Sequence, residues 1–265
     1  MKNNIAARLT NSPRISVVTA VFNRVATIAE AMQSVQSQTY SNVEHVVQDG
    51  GSSDGTYDVV KGLVTERSEI VSERDNGIYD AINRGIQRAS GDVIGLMHSD
   101  DFFADADVLS KVAHAFGDST IDGVYGDLQY VAEHDPTRVI RHWRSGNYHP
   151  ALLKRGWMPP HPTLYLRREV FDRFGLYDTS FKIAADYDAM LRYLVKGQIE
   201  LAYIPEVLVK MRLGGESNRS LERILLKSRE DLRAIRRNGV GGIGTLAAKN
   251  FSKLGQFIVK GQTAK

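Results

Sequence analysis

Alternation of strands and helices within the first hundred residues restricts the fold of this chain more than any other feature of its sequence. Ile15–Val21 is a β-branched, apolar run, and Val43–Gln48, Glu69–Ser72 and Val93–Met97 follow as further predicted strands. Helical spacing of apolar residues separates them, for instance over Ile78–Ala89. Strands that alternate with helices through short connections predict an α/β fold, with a mostly parallel central sheet and helices on both faces.

The segment Asp49–Thr56 follows the second predicted strand. Ligands of α/β sheets bind beyond the carboxyl ends of the strands, and this segment lies at such an end. Its glycines allow the backbone to approach a ligand, and the Asp49 carboxylate can accept hydrogen bonds from a base or a sugar. Asp54 is instead predicted to cap the helix that follows.

A second acidic segment, His98–Asp101, follows the most apolar strand. The adjacent carboxylates of Asp100 and Asp101 repel each other unless a cation lies beside them. Two interpretations remain open at this point. The pair either holds Mg²⁺ or Mn²⁺, ions that prefer oxygen ligands, or it forms a turn that leads into the next segment.

A third acidic segment opens the predicted helix 186–195. The helix dipole stabilises a carboxylate in the first turn, which is one explanation of Asp186. A carboxylate that faces a cleft can also serve as a general base, which is the other. His161 lies between Pro160 and Pro162 on a stiff segment, where it either lines the site or completes a turn.

The second half of the chain has a different pattern. Gly123–Val131, Val139–Trp143, Ile199–Ile204 and Val207–Leu213 are predicted as separate extended segments. Without a long linker or an internal repeat, we expect one continuous domain over residues 1–217 and a basic helical appendage over 218–265.

Composition excludes several classes of protein. The chain of 265 residues has no cysteine, which excludes disulfide scaffolds, thiolate zinc sites, iron–sulfur clusters and cysteine nucleophiles. It has neither the glycine-rich phosphate loops of dehydrogenases and P-loop enzymes nor the motifs of serine or zinc hydrolases. The basic first residues lack an apolar core, and no apolar run is long enough to span a bilayer, so we expect a cytoplasmic protein.

Charge is distributed unevenly along the chain. Residues 207–265 contain 13 Lys and Arg against 4 Asp and Glu, whereas residues 1–206 contain 21 against 27. Within Thr245–Gly261, the apolar residues Ala247, Phe251, Leu254 and Ile258 fall on one face of a helix, and Lys249, Lys253 and Lys260 fall off it. This basic amphipathic helix either lies on an anionic membrane surface or packs against the domain.

Five segments in order along the chain resemble motifs of the family 2 glycosyltransferases, which have the Rossmann-like GT-A fold, and a sixth resembles the mobile loop that follows. The resemblance extends from Arg14 to Ser217 and is strongest to the branch that makes bacterial surface polysaccharides and glycolipids. The matching segments are Pro13–Asn23 (the opening strand), Asp49–Thr56 (D-G-x-S-x-D-G-T), Asp75–Gly85 (D-x-G-x-Y-D-A-x-N-x-G), His98–Asp101 (D-x-D-D), Ala185–Asp188 (E-D-x-D) and Met211–Ser217 (the mobile loop).

The resemblance implies a role for each matching residue. The nucleotide-sugar site is assigned to Thr19, Asn23, Asp49, Asp75, Asn83, Asp100 and Arg212. A Mg²⁺ or Mn²⁺ ion is assigned to Asp101 with Asp100, and the catalytic base to Asp186. His161 and Trp157 are assigned to the lining of the acceptor site.

Two residues depart from the family motifs. His98 stands where the family has the first Asp of D-x-D-D, which makes Asp101 the expected metal ligand. Ala185 stands where the family has the Glu of E-D, which leaves Asp186 as the expected base.

The resemblance therefore implies an inverting, metal-dependent transfer of a sugar from a nucleoside diphosphate sugar to a hydroxyl group. The acceptor would be a saccharide or a polyprenyl-linked molecule at the cytoplasmic face of the membrane, and no nucleic acid would bind. Two alternatives are a metal-dependent phosphodiesterase or nuclease built on the same carboxylates, and an inactive nucleotide-sugar-binding module. The acidic balance of residues 1–206 disfavours a nuclease, which needs a basic groove.

Overall fold

The computed structural model describes residues 12–213 and 221–255. The strands are β1 (Ile15–Val21), β2 (Val43–Asp49), β3 (Ser68–Ser72), β4 (Val93–Leu96), β5 (Phe102–Phe103), β6 (Gly123–Ala132), β7 (Asp135–Trp143), β8 (Tyr165–Arg167) and β9 (Leu201–Arg212). The helices are α1 (Ile28–Gln36), α2 (Thr56–Gly62), α3 (Ile78–Arg88), α4 (Val108–Ala115), α5 (Arg168–Phe174), α6 (Ala185–Leu191), α7 (Leu221–Arg237) and α8 (Ile243–Gly255). Short 3₁₀ helices cover Pro150–Arg155 and His161–Thr163, and a π-helical turn, Arg192–Lys196, continues α6.

The strands form one sheet in the order β3-β2-β1-β4-β8-β6-β9-β5, with β7 added on β6. The first four strands are parallel to one another, as the alternation predicts. The second half is mixed: β9 runs parallel to β6, whereas β8 and β7 run antiparallel to it. The β6–β7 hairpin needs no crossover helix, so the alternation rule does not apply to this half.

Alternate residues of β1 enter two different cores. Val18 and Ala20 pack on one face with residues of α3 and α6. Ile15 and Val17 pack on the other face with residues of α1 and α4. Helices therefore cover both faces of the sheet, and the predicted α/β fold class is confirmed.

The two extended runs predicted at 199–204 and 207–213 are a single strand, β9. Pro205 lies between them and has no N–H to donate to a neighbouring strand. The β6–β9 ladder shifts register at this point, from the pair Gly126 and Ile204 to the pair Asp127 and Val207. The strand continues past the proline because the bulge leaves this position outside the ladder, so the missing N–H interrupts no ladder hydrogen bond.

The C-terminal helices pack on the domain. Ala234 and Ile235 of α7 are fully buried in the same core as α3 and α6. The predicted boundary at residue 217 lies outside the described residues and stays a prediction.

The inward face of α8 differs from the predicted one. Thr245 and Lys249 are buried, whereas Phe251 is 70% exposed. The side chain of Lys249 packs inward because it forms an ion pair with Asp231 of α7 at 2.7 Å. The predicted positions Lys253, Leu254, Ile258 and Lys260 lie outside the side chains that the structure describes.

No helix of the described residues combines the length and the apolar character that a membrane span needs.

Candidate functional site

The loops that follow β1 and β2 are joined by hydrogen bonds. The main-chain N–H of Asn23 donates to Ser52 Oγ, and the N–H of Ser53 donates to Asn23 Oδ1, both at 2.9 Å. Asn23 has a left-handed backbone (φ +50°), which asparagine tolerates better than most residues. One residue on, the N–H of Arg24 donates to the hydroxyl of Thr56 at 2.8 Å. Asn23 therefore fixes the relative position of the two loops.

Asp49 is fully buried at the end of β2, and its carboxylate holds its own loop in place. The oxygens accept hydrogen bonds from the N–H groups of Gly51 and Ser52 and from the hydroxyls of Ser52 and Ser72. Hydrogen bonds within the fold therefore engage both oxygens of the carboxylate that the sequence assigns to ligand contact. Asp49 therefore fixes the conformation of the loop that follows β2.

Asp75 lies on top of this loop. A Cβ added at Gly50 would lie 2.3 Å from Asp75 Oδ2, so glycine is what permits this approach. The other carboxylate oxygen accepts from the N–H of Gly77 at 2.8 Å. Phe22 flanks the same spot with 57% of its surface exposed. Sequence reasoning missed Phe22, and its signal is a large apolar side chain placed directly after a buried strand.

Two residues assigned to the nucleotide-sugar site make hydrogen bonds within the fold. Thr19 is fully buried within β1, and its hydroxyl is hydrogen-bonded to His45 Nε2 at 2.9 Å. The side-chain amide of Asn83 is bonded to both main-chain groups of Tyr177, at 2.8 and 3.0 Å. Asn83 thereby ties α3 to the segment that precedes α6.

Asp101 is a buried carboxylate that lacks a hydrogen-bond donor. Its side chain is 1% exposed. The backbone N–H of Arg212 faces it, but no donor of the described residues meets hydrogen-bond geometry at either oxygen. Burial raises the pKa of Asp101 well above its usual value, the charge of Asp100 adds to that effect, and Arg212 opposes it.

Arg212, at the end of β9, is held close to Asp101. Its guanidinium forms an ion pair with Glu30 of α1 and lies 5.0 Å from the ring centre of Phe102. The Arg212 side chain is 10% exposed. The rest of the predicted mobile loop, 214–217, lies outside the described residues.

The carboxylate oxygens of Asp101 and Asp100 are suitable ligands for a divalent cation that also binds oxygen atoms of a substrate. A buried carboxylate without donors is favourable when a cation balances its charge. Among the described residues, no three His, Asp or Glu side chains are grouped so as to hold a metal ion by themselves. Mg²⁺ usually takes one or two protein carboxylates and completes its shell with water and phosphate oxygens, which is the arrangement that Asp101 and Asp100 permit.

Asp186, in the first turn of α6, is next to the hydroxyl of Tyr79. That hydroxyl donates to the carbonyl of Ile183 at 2.6 Å and lies 3.4 Å from Asp186 Oδ1. Burial opposes ionisation of Asp186, but protonated His161 and the ammonium groups of Lys227 and Lys249 outweigh it and lower the pKa of the carboxyl below its usual value. At neutral pH, where His161 is neutral, the two lysines supply this effect. The carboxylate is therefore ionised at neutral pH and available to take a proton.

Two histidines lie between the acidic residues. The rings of His98 and His161 are 5.8 Å apart, and His161 Nε2 is hydrogen-bonded to the Tyr177 hydroxyl at 2.8 Å. Burial lowers the pKa of His161 to about 4 and also lowers the pKa of His98, while Asp186 acts on both in the opposite direction. His161 is therefore neutral at neutral pH.

His98 lies close to both of the acidic segments that the sequence assigns to the metal ion and to the base. It is within electrostatic range of both Asp100 and Asp186, which come from different parts of the chain. The loops after β1, β2 and β4 also lie along one edge, because β1 is paired with both neighbours. The sequence-predicted acidic segments thus occupy one region of the molecule.

Trp157 belongs to an aromatic cluster beside this region. Its ring stacks on that of Tyr148, with the ring centres 5.2 Å apart, and meets the ring of Tyr125 edge-on, with the centres 5.6 Å apart. Its indole N–H donates to the carbonyl of Ser145 at 3.1 Å. Trp157 and Tyr148 are both partly exposed. Such paired rings can bind the apolar face of a sugar.

Comparison with protein families gives one match: the model described as glycosyl transferase family 2 matches residues 16–179. A "PGL/p-HBAD biosynthesis glycosyltransferase" of Mycobacterium bovis is 29% identical over 221 residues, covering 82% of this chain and 84% of that protein. An uncharacterised glycosyltransferase of Mycobacterium tuberculosis is 31% identical over 192 residues, covering 69% of this chain and 70% of its own.

Solved structures have the same fold at low sequence identity. A mannosyltransferase from Pyrobaculum calidifontis, in complex with GDP-Man and Mn²⁺, is similar with a TM-score of 0.66 and 18% identity, over 92% of this chain and 71% of that one. Residues 1–349 of TarS from S. aureus, in complex with UDP-GlcNAc, are similar with a TM-score of 0.65 and 15% identity, over 86% and 66%.

Proposed function

The chain belongs to glycosyl transferase family 2, and from this membership we propose that it transfers a sugar, with inversion, from a nucleoside diphosphate sugar to a hydroxyl group. One observation supports this reaction more than any other. The ring centres of His98 and His161 are 5.8 Å apart, and His98 is in electrostatic range of both Asp100 and Asp186, which supports a single site for the proposed metal-binding pair and the proposed base. An inverting transfer needs these two groups on opposite sides of one anomeric carbon.

The nucleotide binds on the edge formed by Phe22, Gly50 and Asp75. The exposed ring of Phe22 offers a stacking surface for the base. Asp75 accepts hydrogen bonds from the base or the ribose, and Gly50 leaves room for it. The similar structures were solved with GDP-Man in one case and UDP-GlcNAc in the other, so the fold accommodates more than one nucleotide and sugar.

The diphosphate lies beside Asp101. When bound there, a Mg²⁺ or Mn²⁺ ion held by Asp101 and Asp100 would neutralise charge that develops on the leaving diphosphate. Arg212 adds a positive charge beside Asp101 at the end of β9. The similar mannosyltransferase from Pyrobaculum calidifontis is in complex with Mn²⁺.

Asp186 takes the proton of the acceptor hydroxyl as that oxygen attacks the anomeric carbon from the face opposite the leaving group. The carboxylate is partly exposed, so an acceptor hydroxyl can reach it, and the Tyr79 hydroxyl lies 3.4 Å from its Oδ1 atom. Nucleoside diphosphate sugars already have a good leaving group, so positioning and charge neutralisation supply most of the acceleration. Neutral His161 stands beside the base without competing for the proton at neutral pH.

The acceptor is a saccharide or a lipid-linked molecule of cell-surface polysaccharide or glycolipid synthesis. Trp157 and Tyr148 give a stacking surface for a saccharide. A similar mycobacterial protein is named for glycolipid-related biosynthesis, "PGL/p-HBAD". The basic C-terminal region and the exposed side chains of Ile243 and Phe251 on α8 favour attachment to an anionic membrane surface on its cytoplasmic face.

The central experiment replaces the proposed base. Asp186→Asn is expected to lower the transfer rate by about a thousandfold or more, as measured for loss of a general base, while leaving the dissociation constant for a nucleoside diphosphate unchanged. The matched control is Asp172→Asn, an exposed residue of α5 that leaves transfer unaffected. A wild-type transfer rate for Asp186→Asn contradicts the proposed function.

The donor is identified by a panel of UDP, GDP, TDP and CMP sugars, each with and without Mn²⁺. A ligand that binds only the folded protein raises its melting temperature. We expect one nucleotide to give the largest increase and Mn²⁺ to enlarge it.

The membrane proposal is tested with vesicles that contain anionic phospholipid. Replacing Ile243 and Phe251 by serine is expected to reduce vesicle binding, while Val64→Ser, an exposed apolar residue beyond α2, leaves it unchanged. Equal vesicle binding by both variants contradicts attachment through α8.

A further inference from the structure

Glu230 of α7 binds the backbone that leads into α6. Its carboxylate, 7% exposed, accepts hydrogen bonds from the consecutive N–H groups of Lys182, Ile183 and Ala184 at 2.9, 2.8 and 3.0 Å. The α6 helix has no side-chain cap of its own, since its N-cap residue is Ala184. The three donors therefore depend on a side chain from a distant part of the sequence.

The neighbouring residue, Asp231, helps to hold the chain on the C-terminal side of Asp186. It accepts from the ammonium group of Lys249 at 2.7 Å, and both side chains are buried. The same ammonium lies 3.1 Å from the ring centre of Tyr187, the residue directly after Asp186. Residues of α7 and α8 thus fix the position of the chain immediately after the proposed base.

A third contact fixes the next position in α6. The amide of Asn238, just after α7, donates to Asp188 Oδ1 at 3.0 Å, and both residues are buried. The segments before and after Asp186 are therefore both held by the C-terminal helices. From the opposite side, Tyr79 of α3 binds the carbonyl of Ile183.

We propose that Glu230 is a positioning residue that acts through Asp186, by fixing the backbone of residues 182–184. This inference rests on the proposed function, since it needs Asp186 to be the base. A carboxylate that accepts three N–H groups makes charge-assisted hydrogen bonds, which are about twice as strong as neutral ones. Loss of one such bond leaves a buried donor without a partner, and the backbone shifts to find one.

The proposal gives the C-terminal helices a role in the chemical step. A general base must be within hydrogen-bond reach of the proton that it takes, so a small displacement of α6 reduces the rate. The proposed donor site lies on the loops after β1, β2 and β4, and within the described part of the chain Glu230 forms hydrogen bonds with residues 182–184 rather than with these loops. A positioning role therefore affects kcat and leaves donor affinity unchanged.

The test compares Glu230→Gln with Glu222→Gln, an exposed residue in the first turn of the same helix. Glutamine keeps the shape of Glu230, but its NH₂ group cannot accept a hydrogen bond from residues 182–184. We expect kcat to fall about tenfold, as for a misplaced catalytic group, with an unchanged KM for the donor and an unchanged nucleotide dissociation constant. Glu222→Gln is expected to match the wild type.

A double-mutant cycle separates positioning from general stability. If Glu230 acts through Asp186, then Glu230→Gln causes no further loss of residual transfer in the Asp186→Asn background. A further tenfold loss in that background overturns the proposal, and so does an unchanged kcat in Glu230→Gln alone. Parallel losses of kcat and nucleotide binding also overturn it, because they indicate general loosening of the fold.

A second variant, Glu230→Asp, keeps the test decisive if Glu230→Gln does not fold. Aspartate keeps the charge of Glu230 but is one methylene shorter, so its carboxylate is drawn back from the N–H groups of residues 182–184. We expect the same selective loss of kcat, with Glu222→Asp as the exposed control. If Asp186→Asn transfers sugar at the wild-type rate, the proposed function is contradicted. If Asp186→Asn abolishes transfer while the two variants that test positioning have a normal kcat, only the positioning role is overturned.

Discussion

The hydroxyl of Tyr79 donates a hydrogen bond of 2.6 Å to the carbonyl of Ile183, three residues before the proposed base. Tyr79 belongs to α3, which follows the loop that bears Asp75. In the same helix, Asn83 binds both main-chain groups of Tyr177. The motif segment 75–85 therefore joins the proposed nucleotide-binding edge to the segment that leads into α6.

Tyr79→Phe is expected to reduce kcat severalfold, because the change removes the hydroxyl that holds Ile183 and faces Asp186. The KM for the donor should stay within about twofold, since a loss confined to the chemical step lowers kcat selectively. Initial-rate kinetics with donor and acceptor varied in turn measure both constants. Tyr57→Phe on α2 is the control, and a donor KM that rises as far as kcat falls would contradict this assignment.

The sequence predicts the first half of the fold well because its strands follow a simple local pattern. The predicted strand Ile15–Val21 has the bounds of β1, and the next three predicted strands match β2, β3 and β4 within one or two residues. Each is a short run that contains β-branched apolar residues and is bounded by loop residues, and each pairs in parallel with a neighbour. Such a strand is recognisable without knowing its partners.

The helix α8 shows where pattern reading fails. If this helix packs on the domain through its apolar face, one of the two interpretations of its pattern, then Phe251 is expected to face inward, but Lys249 is the buried residue. The cause is a partner from another element: Asp231 is buried beside it and supplies the opposite charge. Periodicity describes one helix at a time and contains no information about an ion pair between two helices.

The acidic residues of the site illustrate the same limit. Motifs assign Asp49, Asp101 and Asp186 to one site, and the first two follow β2 and β4, which are both paired with β1. They do not distinguish the fully hydrogen-bonded carboxylate of Asp49 from the unpartnered one of Asp101. That difference depends on Ser72 of β3 and on loop geometry, neither of which a local pattern contains.

Gly50→Ala is expected to weaken donor binding without unfolding the protein. The added methyl group would lie 2.3 Å from Asp75 Oδ2, so the carboxylate has to move away from the nucleotide edge. We expect the donor KM to rise about tenfold, the effect of losing one hydrogen bond to a charged group. Isothermal titration with the nucleoside diphosphate measures the same change directly.

Gly62→Ala is the matched control, because nothing lies within 4 Å of an added Cβ at this last position of α2. That variant is expected to bind the donor normally and to be more stable by about 0.5–1 kcal/mol. Equal donor affinities for the two variants would show that Asp75 does not contact the nucleotide.

Asp101→Asn is expected to separate metal binding from stability. Burial raises the pKa of Asp101 well above its usual value, so the ionised carboxylate destabilises the folded protein when no cation is bound. In metal-free buffer the variant should melt at a higher temperature than the wild type. Differential scanning fluorimetry with Mn²⁺ and nucleoside diphosphate should show a stabilisation that the wild type gains and the variant does not.

Asp172→Asn, on the exposed side of α5, should behave like the wild type in both buffers. If Asp101→Asn keeps the full stabilisation by Mn²⁺, then Asp101 does not hold the ion. The readout is melting temperature, so the result does not depend on knowing the acceptor.

His45 predicts how the stability of the fold depends on pH. Complete burial in β2 lowers its pKa from 6.5 to about 4. Between these values the unfolded chain binds a proton that the folded protein excludes, so the stabilising effect is fully present above pH 6.5 and is lost as the pH falls towards 4. The loss amounts to about 3 kcal/mol. Urea unfolding at a series of pH values gives the free energy of unfolding of the wild type and of His45→Gln. These two free energies should converge as the pH falls, because the variant lacks the titration of His45. His161 titrates in both proteins and therefore does not affect the difference. The control is His134→Gln, at an exposed residue in the β6–β7 turn, and its free energy of unfolding should follow that of the wild type. A constant difference in this free energy between His45→Gln and the wild type would mean that His45 accepts its proton without unfolding the sheet.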